Sequence, residues 1–151
     1  MKYLVTGGAG FIGSNLAIRL VEEGHNVRIL DNFSSGRAEN LSEIIDRVEV
    51  IDGDIRDYWT VGKAVKGIDY ILHQAALPSV PRSVNNPLTS NAVNIDGTLN
   101  VLENARQAGV KKLVMASSSS VYGESEVLPK HEGMTPSPLS PYAITKVTNE
   151  Y

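Results

Sequence analysis

The chain has 151 residues, one domain's length, long enough to bury about two thirds of its unfolded surface. Hydrophobic residues make up 42% and charged residues 21%, and no apolar run approaches the roughly 20 residues that cross a bilayer, which excludes a membrane-spanning helix. A net charge of -3 gives no broad basic surface for nucleic acid, zero cysteines exclude disulfides and thiolate metal sites, and His25, His73 and His131 are too scattered for a metal cluster, so small-molecule partners are expected.

The chain starts MKYLVTGG, a strand-like run with no basic leader or cleavage site, which predicts a cytoplasmic protein. Lys2 to Thr6, Asn26 to Leu30, Val48 to Ile51, Ile68 to His73 and Lys111 to Ala116 read as five strands alternating with longer amphipathic stretches. That alternation predicts an α/β fold with a Rossmann-like, doubly wound parallel sheet. A first helix is expected from about Gly10 to Glu23, stopped by Gly24. A long one is expected from Asn86-Pro87 to Gly109, with Ala92, Ile95, Leu99 and Leu102 as an apolar stripe against the sheet. Leu77 to Pro87 and Glu124 to Pro141 are rich in Pro, Ser and Asn and read as loops at strand ends, where open α/β sheets take their ligands.

The first strand runs into Gly7-Gly8-Ala9-Gly10-Phe11-Ile12-Gly13, which fits G-x-G-x-x-G from Gly8 and a variant frame from Gly7. Pyrophosphate must approach the backbone beside a helix N-terminus, where a Cβ would obstruct it and free N–H groups favour an anion. Gly7, Gly10, Phe11, Ile12 and Gly13 are therefore the expected cofactor contacts. Asp31 ends the second strand, eighteen residues after Gly13, where a carboxylate binds the adenosine ribose hydroxyls and repels a 2′-phosphate. This favours NAD as cofactor over NADP, although Arg37 lies nearby.

Tyr142 and Lys146 are four apart behind Ser140-Pro141, a helix-start signal, so the two side chains share one helical face. A tyrosine with an ordinary pKa near 10 is a poor base at neutrality. An ammonium roughly 4 Å away favours the phenolate by about 4 kcal/mol at an effective dielectric near 20. Ser117 to Ser120 follow the fifth strand directly, at a carboxyl end where a hydroxyl could hydrogen-bond a reacting substrate oxygen.

With these residues the chain resembles the amino-terminal half of an extended short-chain dehydrogenase/reductase of the sugar-nucleotide epimerase and dehydratase group. The motifs that carry the resemblance are 6 to 14, Asp31-Asn32, Gly53 to Asp57, His73 to Ala76, Asn94 to Thr98, Ser118 to Gly123 and Tyr142 to Lys146. The resemblance implies that Asp54 and Ile55 contact the adenine and that the Ala75-Ala76 backbone lines the cofactor, with Asn32 among the cofactor-binding residues. It further implies that Asn94, grouped with the cofactor residues, braces the sheet. Ser118 is implied as the catalytic serine, Tyr142 as the base and Lys146 as the group holding the nicotinamide ribose.

Dehydratases of this family resemble one another in an Asp-Glu pair just after the catalytic hydroxyl, where this chain has Ser119 and Ser120. Epimerisation of a UDP-sugar at carbon 4 is thus the leading expectation, with a dehydratase or an NAD-binding module without turnover as alternatives. Leu77 to Ser83 and Pro138 to Tyr142 look most like epimerases of UDP-N-acetylhexosamines, with Pro78, Ser79, Ser119 and Ser120 facing substrate. Because members of the family continue into a smaller substrate-gripping domain, the chain is expected to be an incomplete domain that lacks that region. The resemblance also implies a homodimer built on the helix from Pro87 and the helix from Pro141.

Overall fold

The computed structural model describes all 151 residues, Met1–Tyr151. In chain order the elements are β1 (Lys2–Thr6), α1 (Phe11–Glu22), β2 (Asn26–Asp31), β3 (Val48–Asp52), α2 (Tyr58–Val65), β4 (Tyr70–His73), α3 (Val80–Asn85), α4 (Pro87–Asn91), α5 (Gly97–Ala108), β5 (Lys112–Met115) and α6 (Pro141–Glu150). Short 3₁₀ turns cover Ala38–Leu41, Ile45–Arg47 and Ser119–Tyr122, and a π-helical turn, Ala92–Asp96, joins α4 to α5. The residues form two compact units, one of Met1–Ala76 with Leu99–Ala116, the other of Leu77–Thr98 with Ser117–Tyr151.

The first unit is a five-stranded sheet in the order β3-β2-β1-β4-β5, every pairing parallel, as the alternation of strands and helices predicts. The sequence order reverses at the β1–β4 pair, where doubly wound sheets open a crevice at the strands' carboxyl ends. Val5, Val27 and Ile29 bury one face with Ala17, Leu41 and Ile44, while Leu4, Leu30 and Ile71, at the alternating positions, are buried on the other. Burial on both faces explains why the strands read as apolar runs. Gly24, at φ +78, ends α1 in the left-handed conformation expected of it.

Two expectations need correction. The segment Leu77 to Pro87 is not simply a loop, because Val80–Asn85 is helical, capped by the Ser79 hydroxyl accepting from the Arg82 N–H at 3.3 Å and opened by a first-turn proline. The apolar stripe is also displaced: Leu99 is 62% and Leu102 41% exposed, and the buried positions are Asn94, Thr98, Val101, Asn104 and Ala105. The π turn inserts an extra residue into the helical period, and the inward face is chosen by hydrogen bonding as much as by hydrophobicity. In the first unit Asn100 donates to the Ile55 and Arg56 carbonyls and Asn104 to the Tyr58 carbonyl, at 3.0 to 3.2 Å. No helix is long and apolar enough to cross a membrane.

Candidate functional site

At the end of β1 the chain turns at Gly7, φ +67, where a Cβ would stand 2.7 Å from the Ala75 nitrogen. A Cβ on Gly13 would strike the Gly7 carbonyl oxygen. These glycines let the turn close upon itself and against the segment leaving β4, so the motif has a packing reason before any ligand is considered. No side chain caps α1, whose first backbone bond runs from the Ser14 N–H to the Gly10 carbonyl at 3.0 Å. The Phe11, Ile12 and Gly13 N–H groups consequently have no partner within the helix. Phe11 and Ile12 are 83% and 56% exposed, and a bare, glycine-flanked helix end fits a pyrophosphate.

Asp31 is buried at the end of β2, with Oδ2 accepting the Ala9 N–H at 2.9 Å and Oδ1 the Phe33 N–H at 2.8 Å. Each carboxylate oxygen has a further lone pair, so both remain able to accept ribose hydroxyls. The Ala9 carbonyl accepts from the Arg37 N–H and from Asn40 Nδ2, which holds the glycine turn against the loop after β2. Asn32 and Asp54 are joined at 2.8 Å, and Arg56 grips both oxygens of Asp54 and holds its pKa down to about 2. Of the pair expected at the adenine, Ile55 is buried with its side chain in the core, and its carbonyl accepts from Asn100 Nδ2 at 3.0 Å.

Between β1 and β4, buried Thr6 accepts the Ala75 N–H at 3.3 Å, and its hydroxyl lies 2.6 Å from His73 Nδ1. This fixes the start of the Ala75-Ala76 segment beside Gly7. Thr6 and His73 fall in motifs that carry the resemblance, but the sequence gives neither a role of its own, because both look like ordinary strand ends.

The second unit holds the other candidates. Ser118 Oγ accepts from the Ser120 N–H at 3.2 Å and from Ser120 Oγ at 2.9 Å, so both acceptor sites are taken and its own proton remains to donate. Helix α6 packs against the 3₁₀ turn that follows Ser118, and Ser117 Oγ donates to the Glu150 carboxylate. Tyr142 is half-buried on α6, whereas Lys146 is 6% exposed, and burial pushes its pKa down. Ser119 and Pro78 are exposed, and Ser79, also exposed, has φ +105, strained for a residue with a Cβ.

Asn94, at the π turn, is fully buried. Its amide donates to the Leu77 carbonyl and Thr145 Oγ1, and its Oδ1 accepts the Leu77 N–H. The brace expected of Asn94 thus runs to Leu77 and to α6 rather than to a strand, with its amide protons engaged inside the protein. Thr145 and Asn149 complete it, Thr145 Oγ1 donating to the Tyr142 carbonyl at 2.7 Å and Asn149 to the Asn94 carbonyl at 2.9 Å. Sequence reasoning missed these, and missed Ser83, because polar side chains inside short helices leave no periodic signal.

Residues 3–151 match the NAD dependent epimerase/dehydratase family. The UDP-glucose 4-epimerase of Mycolicibacterium smegmatis is 47% identical over 99% of this chain and 49% of its own length. Among solved structures, Thermus thermophilus UDP-glucose 4-epimerase in complex with NAD shares 42% identity at TM-score 0.92, covering 99% of this chain and 49% of that one. The UDP-N-acetylglucosamine 4-epimerase of Methanobrevibacter ruminantium, in complex with UDP-N-acetylmuramic acid, shares 41% identity at TM-score 0.92, with 99% and 48% covered. The chain spans about half the length of the curated relatives it matches. With a match over nearly every residue, the chain belongs to the NAD dependent epimerase/dehydratase family, whose cofactor is NAD.

Proposed function

We propose that the protein carrying this chain epimerises a UDP-hexose at sugar carbon 4. The observation that carries the reading is the packing of α6, bearing Tyr142 and Lys146, against the turn that follows Ser118. NAD, held at the glycine turn and Asp31, supplies a hydride acceptor and donor for the sugar carbon. Tyr142 takes the proton from the 4-hydroxyl and returns it when the carbonyl is reduced from its other face. Ser118, with both acceptor sites occupied by Ser120, can only donate, so it stabilises the sugar oxygen as it becomes a carbonyl. Lys146, one turn from Tyr142 on the same helix, holds the nicotinamide ribose in this reading.

UDP-glucose and UDP-N-acetylglucosamine are the substrates to test, since the similar proteins are named for them. Ser119 and Ser120 offer no carboxyl group to protonate a leaving hydroxyl, which favours epimerisation over dehydration. The protein acts in this reading as a homodimer, supported by the exposed Leu99 and Leu102 on α5. The test is interconversion of each UDP-sugar with its galacto epimer by the purified protein. A 4-keto-6-deoxy product would reassign it as a dehydratase, and bound NAD without turnover of either sugar would leave a binding module.

A further inference from the structure

The hydroxyl of Ser83 lies at a junction that the proposed chemistry does not use. Ser83 sits on α3 with no exposure, and its Oγ donates to the Val80 carbonyl at 2.7 Å while accepting the Tyr142 N–H at 3.0 Å. A helix leaves its first N–H groups unpaired, and α6 resolves each differently. Pro141 has no N–H, Ala143 donates to the Ser140 hydroxyl cap at 3.1 Å, and the remaining donor, that of Tyr142 itself, is taken by Ser83. Ser83 is thus a second cap supplied from another helix, and it grips the backbone of the residue whose phenol moves the proton. Thr145 holds the same residue from its carbonyl side, bonded in turn to Asn94.

We propose that Ser83 is a positioning residue for Tyr142, coupling the substrate-facing segment Pro78-Ser79 to the base through α3. The proposal rests on Tyr142 being the proton-transferring group. The coupling is short: Ser79 caps α3 through the Arg82 N–H, and the next residue is Ser83. Strain at Ser79, φ +105, lies at one end of this link and the Tyr142 backbone at the other. A shift of the α6 start moves the phenol relative to the sugar oxygen, and misplacement by an ångström reduces a rate about 100-fold.

The test is a double-mutant cycle in the protein carrying this chain, read as kcat for UDP-sugar epimerisation and as NAD retained. Ser83→Ala should lower kcat about 10- to 100-fold with NAD retained, and Ser83→Cys, which keeps the volume with a weak acceptor, should lower it less. In a Tyr142→Phe background, Ser83→Ala should produce no further loss, because the residue it positions no longer transfers a proton. A purely structural role predicts the same loss in both backgrounds and overturns the proposal, as does full kcat in both Ser83→Ala and Ser83→Cys. If Tyr142→Phe is itself fully active, the epimerase mechanism fails first and by a separate result.

Discussion

Asp31 Oδ2 accepts the Ala9 N–H at 2.9 Å, so the carboxylate expected to read the ribose also fastens the phosphate turn. If Asp31 reads the ribose as expected, one side chain links cofactor choice to turn geometry. Asp31→Ala should weaken NAD binding by about 1.5 to 3 kcal/mol per charged hydrogen bond lost, and relax discrimination against NADP. It should also lower the unfolding temperature without any ligand, because the Ala9 and Phe33 N–H groups lose their acceptor. Calorimetric titration with both dinucleotides, beside thermal unfolding of the free protein, separates the two effects. A parent protein that prefers NADP would remove the role given to Asp31.

Lys146 carries a pH prediction. Burial lowers its pKa in the fold, whereas the unfolded chain keeps the ordinary 10.5. Between those two values the unfolded state binds more protons than the folded one, so stability rises with pH across that window, and below it the penalty is present in full. Lys146→Met removes the penalty, so its unfolding free energy at neutral pH should equal or exceed that of the parent, and the parent's gain on the alkaline side should shrink. Activity should move the opposite way, with NAD affinity and rate falling together as the contact expected to the nicotinamide ribose is lost. Urea unfolding at pH 7 and 10, set beside kcat and NAD titration, checks both.

The sheet and the turn were legible in the sequence because each has a local cause. Apolar runs of strand length give β1 to β5, and Gly7 and Gly13 are forced by contacts with Ala75 and with the turn itself. Helix α6 was legible from Ser140-Pro141, which cap and open it. What could not be read was decided by polar contacts between distant segments. The inward face of the helix after Pro87 belongs to Asn94, Thr98 and Asn104 rather than to Leu99 and Leu102, because those polar groups find partners inside and the π turn rotates the stripe. The cap on α3 was written as Ser79-Val80-Pro81, but the surrounding prolines and serines outweighed it.

For assembly, Leu99→Arg on α5 should weaken self-association. The leucine is 62% exposed, so an arginine is tolerated by the isolated fold and unfavourable against a second apolar face. Light scattering over a dilution series should show dissociation at higher protein concentration than for the parent. An unchanged series would place the interface elsewhere.

Ser118→Ala should lower the rate without moving the pH optimum far. Its hydroxyl is a donor whose acceptor sites are filled by Ser120, so the substitution removes a bond to the sugar oxygen and leaves Tyr142 and Lys146 in place. Loss of one such preorganised donor costs about 100- to 1000-fold in kcat where it meets a developing oxyanion, and less at a neutral carbonyl. Steady-state kinetics across pH 6 to 10 should give a profile of the same shape at lower height.

Tyr142→Phe isolates the proton transfer. The ring and its packing persist, the α6 start keeps its Ser83 and Ser140 caps because both act on backbone N–H groups, and Lys146 stays buried one turn away. Binding of NAD should therefore be retained, while kcat for epimerisation should fall about 10²- to 10⁴-fold, the range a positioned acid or base contributes. The phenol is the one acid or base removed, since its neighbours on that face of α6, Lys146 and Asn149, are unchanged. Measurement of kcat and of bound NAD on the same preparation decides the matter. Near-normal turnover in the Phe variant would mean that a group outside α6 takes the proton, and the proposed mechanism would fall with it.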